Sequence, residues 1–250
     1  MVPSSKGPEL GSPPSSKTFT SRSYNWYSGS YNSYTYQRSP CVAGRENGDA
    51  ITDNSPTGSP FNAIYTSNGS CAEASSILPL TSTLSTLQNK INGLSASGST
   101  PGHLGTQWAW YMLSPKWASI WGTASAPVAY DEKKTIKAAI LMTDGEYNLQ
   151  YCQGVNDQTI NCSDPNGTSN AQSVSFCQQM KDNGITVYTI GFGIDQQSAI
   201  DTLKTCASTD PNNPAKKYYY FPYSSDEIRA AFQDIGQQLK AGQIGVQMTQ

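Results

Sequence analysis

Few residues in this chain have side chains suited to chemistry, and their spacing narrows what they can do. Six cysteines stand at 41, 71, 152, 162, 177 and 206, none in a Cys-x-x-Cys pair. The one histidine, His103, has no cysteine beside it. This speaks against a zinc site and against a thiol nucleophile with an imidazole base. It predicts structural disulfides, with sequence neighbourhood favouring Cys41–Cys71, Cys152–Cys162 and Cys177–Cys206, and hence an oxidising compartment. In PGHLG, His103 could act as a base or a ligand; the reading preferred here is a first-turn helix residue bonded to nearby backbone. The strongest local signal is KAAILMTDGEYN, where an apolar run ends in Thr143-Asp144-Gly145. A carboxylate there can be a metal ligand, a general base or an N-cap. Gly145 is expected to give the turn a conformation closed to other residues. No GxSxG or HExxH occurs, so a hydrolase lacks its usual signatures.

Asp144 needs a sheet to hold it, and the pattern from residue 76 onward supplies one. Leu84, Leu87, Ile91 and Leu94 stripe a helix that Thr81 can cap and Gly93 can close. A second helix runs through GHLGTQWAWYML between Pro101 and Pro115. On it Trp108 and Tyr111 share a side, so core packing accounts for at least half of the aromatics between 108 and 121. Ile136–Met142 reads as a strand buried on both faces. A helix over residues 170–183, a strand in ITVYTIGFG, a helix over Ile200–Cys206, a strand in KYYYFPY and a helix striped by Ile228, Phe232, Ile235 and Leu239 follow. The fold class is therefore α/β, a doubly wound, mostly parallel sheet, with ligands expected outside the carboxyl ends of its strands. Residues 1–75 differ: they form an irregular Ser/Tyr/Pro-rich segment, read as an insertion or flap of the same domain as residues 76–250. Its aromatics at 24, 26, 27, 31, 34 and 36 offer a stacking platform for sugars or bases. They can alternate on a strand or form a loosely packed flap; a loop whose tyrosines pack on a neighbouring sheet is the reading preferred to the platform, because basic residues are scarce.

Composition sets the outer limits. Sixteen Lys+Arg against 18 Asp+Glu give a net charge of −2, which offers no grip on nucleic acid or an anionic membrane. Only 14% of residues are charged and 36% apolar; uncharged polar residues fill the gap, as suits an exported protein. No apolar run is long enough to span a bilayer. The opening MVPSSKGPELGSPPSSK has no apolar signal-peptide stretch, so export information is expected elsewhere.

GSTPGHLG ahead of a helix, a strand ending in TDG and ITVYTIGFG together resemble the von Willebrand factor type A domain. That family's metal ion-dependent adhesion site uses an Asp-x-Ser-x-Ser loop, a loop carrying Thr and a loop carrying Asp. The resemblance maps Thr100 to the second and Asp144 to the third, hard oxygen ligands suited to Mg²⁺. PCVAGR, ILPLT, GSTPGHLGTQWAWYMLSPKW and KAAILMTDGEYN further resemble TadG-type proteins of the Tad/Flp pilus assembly system, over about residues 40–240. Such proteins are bacterial envelope proteins with an N-terminal membrane anchor and an exported A-like region. Asp53-Asn54-Ser55-Pro56-Thr57 has nearly the spacing of the first metal loop, yet ENGDAIT upstream is no core strand, so it reads as a coincidence. The resemblance thus implies a chain lacking the front of its domain, with residues 1–75 inserted from that domain's middle and Mg²⁺ held only weakly by Thr100 and Asp144.

The function expected is non-enzymatic: an envelope module, periplasmic or extracellular, that binds protein partners, with an acidic partner side chain completing the metal. A carbohydrate-binding or structural surface protein built on residues 24–36 is the alternative, and an envelope hydrolase the third.

Overall fold

The computed structural model describes residues 13–70, 76–95 and 99–248. The Tyr/Ser-rich segment is regular, which corrects the expectation of an irregular one. Strands β1 (Ser16–Asn25), β2 (Ser30–Val42) and β3 (Ala63–Thr66) form an antiparallel sheet in the order β1-β2-β3. Aromatic and Thr-rich sequence suits a pleated surface even when Ser and Asn are interspersed. The β1–β2 turn is set by Asn25, whose Oδ1 accepts from the N–H groups of Tyr27 and Ser28, an Asx turn.

The second sheet is parallel, in the order β10-β7-β4, and comprises β4 (Ala138–Thr143), β7 (Thr186–Gly191) and β10 (Tyr219–Tyr220). Between the two sheets in sequence lie α1 (Leu84–Asn92), α2 (Gly102–Leu113) and the short α3 (Ala118–Trp121). The hairpin β5 (Tyr151–Cys152) and β6 (Val155–Asn156) and helix α4 (Ser169–Asp182) separate β4 from β7. Helix α5 (Gln197–Cys206) and the hairpin β8 (Thr209–Asp210) and β9 (Asn213–Lys217) lead to β10, and α6 (Ser225–Met248) closes the order. The period-2 alternation of β4 and β7 decides which layer each side chain meets. Ala139, Leu141 and Val187 join Trp110, Phe176 and Met180 of α2 and α4, whereas Tyr188 and Ile190 meet Ala231 and Ile235 of α6. The sheet thus carries helices on both faces. Thr168 caps α4 by accepting from Ala171 N–H, and Gly184 follows its end at φ +74°, both as these residue types predict.

The two sheets share one core. Val42 and Phe61 pack with Trp108, Tyr111 and Trp117; Phe61 stacks on Trp108 at 4.9 Å and Tyr111 on Trp117 at 4.0 Å between centroids. Cys152–Cys162 and Cys177–Cys206 are bridged as expected. Their sequence separations of 10 and 29 correspond to roughly 3 and roughly 4 kcal/mol in the chain-entropy picture. The expected Cys41–Cys71 pair falls on Cys71, outside the described residues.

Two elements depart from the sequence reading. Strand β4 is not buried on both faces: among the described residues it pairs only with β7, and Ile140 and Met142 are 39% and 47% exposed. Helix α1 has the predicted stripe and C-cap, but Thr83 rather than Thr81 stands at its N-cap and none of its residues is buried. Leu84 is 79% exposed and Ile91 64%. Periodicity showed that these side chains want cover; it could not show whether cover is present.

Candidate functional site

Strand β4 ends at Thr143, so Asp144 lies at the carboxyl end of the parallel sheet, where the sequence placed it. The turn is held by Thr143, whose Oγ1 donates to Gly145 O (3.1 Å) and accepts from Gly145 N–H (3.3 Å). Gly145 is not at positive φ, and a Cβ there would meet open space. Its expected conformational privilege is therefore unused.

The loop before α2 is brought to the same end. Thr100 N–H donates to Asn148 Oδ1 (2.9 Å), and Leu149 N–H donates to Thr100 O (3.3 Å). The Tyr147 ring lies so close to Gly102 that any Cβ at 102 would collide with it, so glycine is required for this approach. A groove of about 420 Å³ runs here, lined among others by Thr100, Gly102, Thr106, Met142, Thr143 and Tyr147. Asn148 and Tyr147, which seat the Thr100 loop, were missed from sequence, although the EYN triplet after Thr-Asp-Gly contained them.

The donor set can be judged by its chemistry. Neither Thr100 Oγ1 nor the exposed Asp144 carboxylate has a hydrogen-bond or ion-pair partner among the described residues. Both are hard oxygens of the kind Mg²⁺ takes. They supply one hydroxyl and one carboxylate, and among the described residues no group of three or more His, Cys, Asp or Glu gathers anywhere. The set suits Mg²⁺ in kind and leaves most of its shell to water.

Asp53 has a different task from the one its spacing hinted at. It is buried, with Oδ2 accepting from Ser114 Oγ (2.6 Å) and Tyr130 OH (2.7 Å), Oδ1 from Lys116 Nζ (2.8 Å), and its backbone carbonyl from Trp117 Nε1 (3.0 Å). Burial alone would raise its pKa, but the hydrogen bonds from Lys116, Ser114 and Tyr130 outweigh it and hold the carboxyl below its usual range. Ser55 donates to Thr57 within the same loop. Arg45 is buried beside this network and lies over Tyr111, Trp117 and Phe61 at 5.0, 5.4 and 5.6 Å. The aromatic faces take the place of a carboxylate.

His103 bonds to a side chain rather than to backbone: its Nδ1 lies 2.8 Å from Ser169 Oγ. Burial lowers its pKa to about 4. A nucleophile and a base are thus adjacent, which the sequence search for local motifs missed because they lie 66 residues apart. Both are almost fully buried, and the cavity His103 lines holds about 10 Å³, room for one water at most. The pair ties the first turn of α2 to that of α4.

Comparison with known proteins adds little. No family model and no curated protein matches the chain. Among solved structures, the pilus adhesin SpaC from Lactobacillus rhamnosus GG is similar at 17% identity and a TM-score of 0.40. The match covers 62% of this chain and 21% of that one. Likeness at that level transfers neither fold nor function. Among the described residues no helix is long and apolar enough to cross a membrane.

Proposed function

We propose that the chain is a non-enzymatic binding module of the bacterial cell envelope, a von Willebrand A-like domain of the Tad/Flp pilus assembly type, facing the periplasm or the outside. Its partners are proteins, engaged at the carboxyl end of the parallel sheet through Mg²⁺ held by Thr100 and Asp144. The observation that supports this reading is that Thr100 and Asp144 lie in loops at that end, their side-chain oxygens bonded to no other described residue. The disulfides fit an exported protein. Bound there, Mg²⁺ would supply a positive charge able to accept a carboxylate. Thr100 and Asp144 would hold it, and the bond from Thr100 N–H to Asn148 ties the two loops together.

Two donors compete poorly with bulk water for Mg²⁺, so the expected affinity is weak. Calorimetric titration with MgCl₂ tests this: the signal should be small in the wild type and absent in Asp144→Ala. Tight binding that survives Asp144→Ala, or is lost in Asp53→Ala, refutes the assignment.

A second reading rests on the β1–β2 hairpin. Trp26 is 86% exposed, and Tyr24 lies edge-on to Trp26 and Tyr31 at 5.0 and 5.2 Å. These rings are not packed under a sheet, as the sequence reading preferred; they stand on one. Such a platform suits sugar rings. Glycan-array binding abolished by Trp26→Ala would favour this reading, and an empty array would remove it.

A further inference from the structure

The β1–β2 hairpin has an outer face as regular as its inner one. Directly opposite residues of a strand pair share a face, and here Tyr24 stands opposite Tyr31, Thr20 opposite Ser33 and Thr18 opposite Thr35. Between Thr20 and Tyr24 strand β1 advances four positions while β2 advances two, so the alternation is in phase again at the tyrosine pair. All six side chains are exposed. Strand β2 carries the row on to exposed Gln37, which makes a strip about 20 Å long from Tyr31. Trp26 extends it at the turn, its ring edge-on to Tyr24. The inner face is apolar by contrast, with Phe19 buried among Tyr65, Cys152 and Ile160.

The outer face is uncharged. From residue 10 to residue 45 the chain has no Asp or Glu, and the cations of the hairpin are turned elsewhere. Lys17 lies over the Tyr65 ring at 4.9 Å on the inner face, where Arg38 is paired with Tyr65. Arg22 turns its guanidinium onto the carbonyls of Ile160 (2.8 Å) and Cys162 (3.0 Å). What remains outside, beyond the aromatic rings, is hydroxyl and amide. Thr18 Oγ1 and Thr35 Oγ1 share one hydrogen bond (2.9 Å), while the side chains of Thr20, Ser33 and Gln37 have no hydrogen-bond partner among the described residues.

We infer that this strip binds an extended chain of neutral sugars, one ring against Trp26 and Tyr24 and the following ones along the hydroxyl rows. The inference rests on the sugar reading of the hairpin and gives it a ligand class. A pyranose has an apolar face for an aromatic ring to cover, and a rim of hydroxyls that donate and accept as Thr, Ser and Gln side chains do. The strip is longer than one sugar ring, so it suits a polymer better than a single terminal sugar. With no cation facing outward it has no grip on a polyanion, whether nucleic acid or polyuronate. A protein partner would need an apolar centre, and beyond the tyrosine pair the strip has none.

Titration calorimetry in EDTA keeps the test separate from the Mg²⁺ reading. The probes are neutral oligosaccharides of one to six rings, in β-linked series of glucose, N-acetylglucosamine, xylose and mannose. In at least one series affinity should climb with length beyond the disaccharide, and Trp26→Ala should abolish binding. Thr18→Val combined with Thr35→Val keeps shape and strand preference on an exposed face, which circular dichroism checks, and removes only hydroxyls. It should weaken the longest ligand about tenfold and leave the disaccharide unchanged. Polyuronate fragments of the same lengths should not bind. Trp26-dependent binding that is flat with length, or indifferent to the threonine variant, leaves the platform a holder of terminal sugars and overturns the strip. Equal affinity for polyuronates overturns it as well. So does the absence of binding in every series; a glycan array that then still shows Trp26-dependent binding keeps the platform, and an empty one removes both.

Discussion

Asp53 and Asp144 are the two aspartates whose spacing invited a metal, and the structure treats them oppositely. Asp53 is buried under Ser114, Tyr130, Lys116 and Trp117, with both carboxylate oxygens occupied. Asp144 is exposed, and its carboxylate has no protein partner among the described residues. The contrast extends to their surroundings. Around Asp53 the core is closed, with Arg45 laid over three rings. Around Asp144 are a strand edge unpaired among the described residues and exposed apolar side chains. One region uses its polar atoms to hold itself together, and the other leaves them to solvent. Residue type is the same in both; what differs is how many partners the main chain brings within reach.

Substitution should make that difference large. Asp53→Ala leaves Ser114, Tyr130 and Lys116 without their acceptor and is expected to cost about 3–4 kcal/mol in urea denaturation, whereas Asp144→Ala should stay within about 0.5 kcal/mol. Equal effects would collapse the comparison.

Acid should sharpen it next. His103 belongs to the closed region, and burial brings its pKa down from 6.5 to about 4. The unfolded chain therefore binds the extra proton first, and stability present above pH 6.5 is lost as pH falls toward 4, by about 3 kcal/mol. Asp53, its pKa depressed in the fold, adds a further loss once pH drops below its unfolded value of 3.8. Chemical denaturation between pH 7 and 4 in wild type and His103→Asn checks this, the variant losing the upper part of the slope.

The smallest effect is expected on α1. Leu84→Ser or Ile91→Ser should change stability by no more than about 0.5 kcal/mol, since neither side chain is buried. A loss of 2 kcal/mol or more in thermal denaturation, the scale of a core truncation, would show that this stripe is covered in solution.

Sequence disclosed the parallel half of the molecule well because its signals are local. Apolar runs made β4 and β7, Gly184 closed α4, and Pro101 and Pro115 flanked α2. It failed where the answer depends on what lies alongside. Nothing in AAILMT distinguishes a central strand from an edge one. Nothing in SRSYN decides between alternation on a strand and a loosely packed flap. The candidate site was legible in part: the place of Asp144 followed from the end of a strand and Thr100 was proposed from resemblance, but the Asn148 bond that brings their loops together spans 48 residues. The Ser169 partner of His103 was hidden by a similar distance.

The shared core has a consequence for how the chain reaches its fold. Val42, on the amino-terminal sheet, and Phe61, just before β3, end up in one cluster with Phe176, Met180 and Cys206, so this core closes only after segments far apart in the chain are brought together. Contacts of such sequence separation must bear their loop-closure entropy before they return any stabilisation, which places folding in the millisecond-to-second range of non-local topologies. Helices α4 and α5 with the strand between them meet over short distances and can form early. The antiparallel sheet, though it precedes them in the chain, waits for them before its inner face is dry.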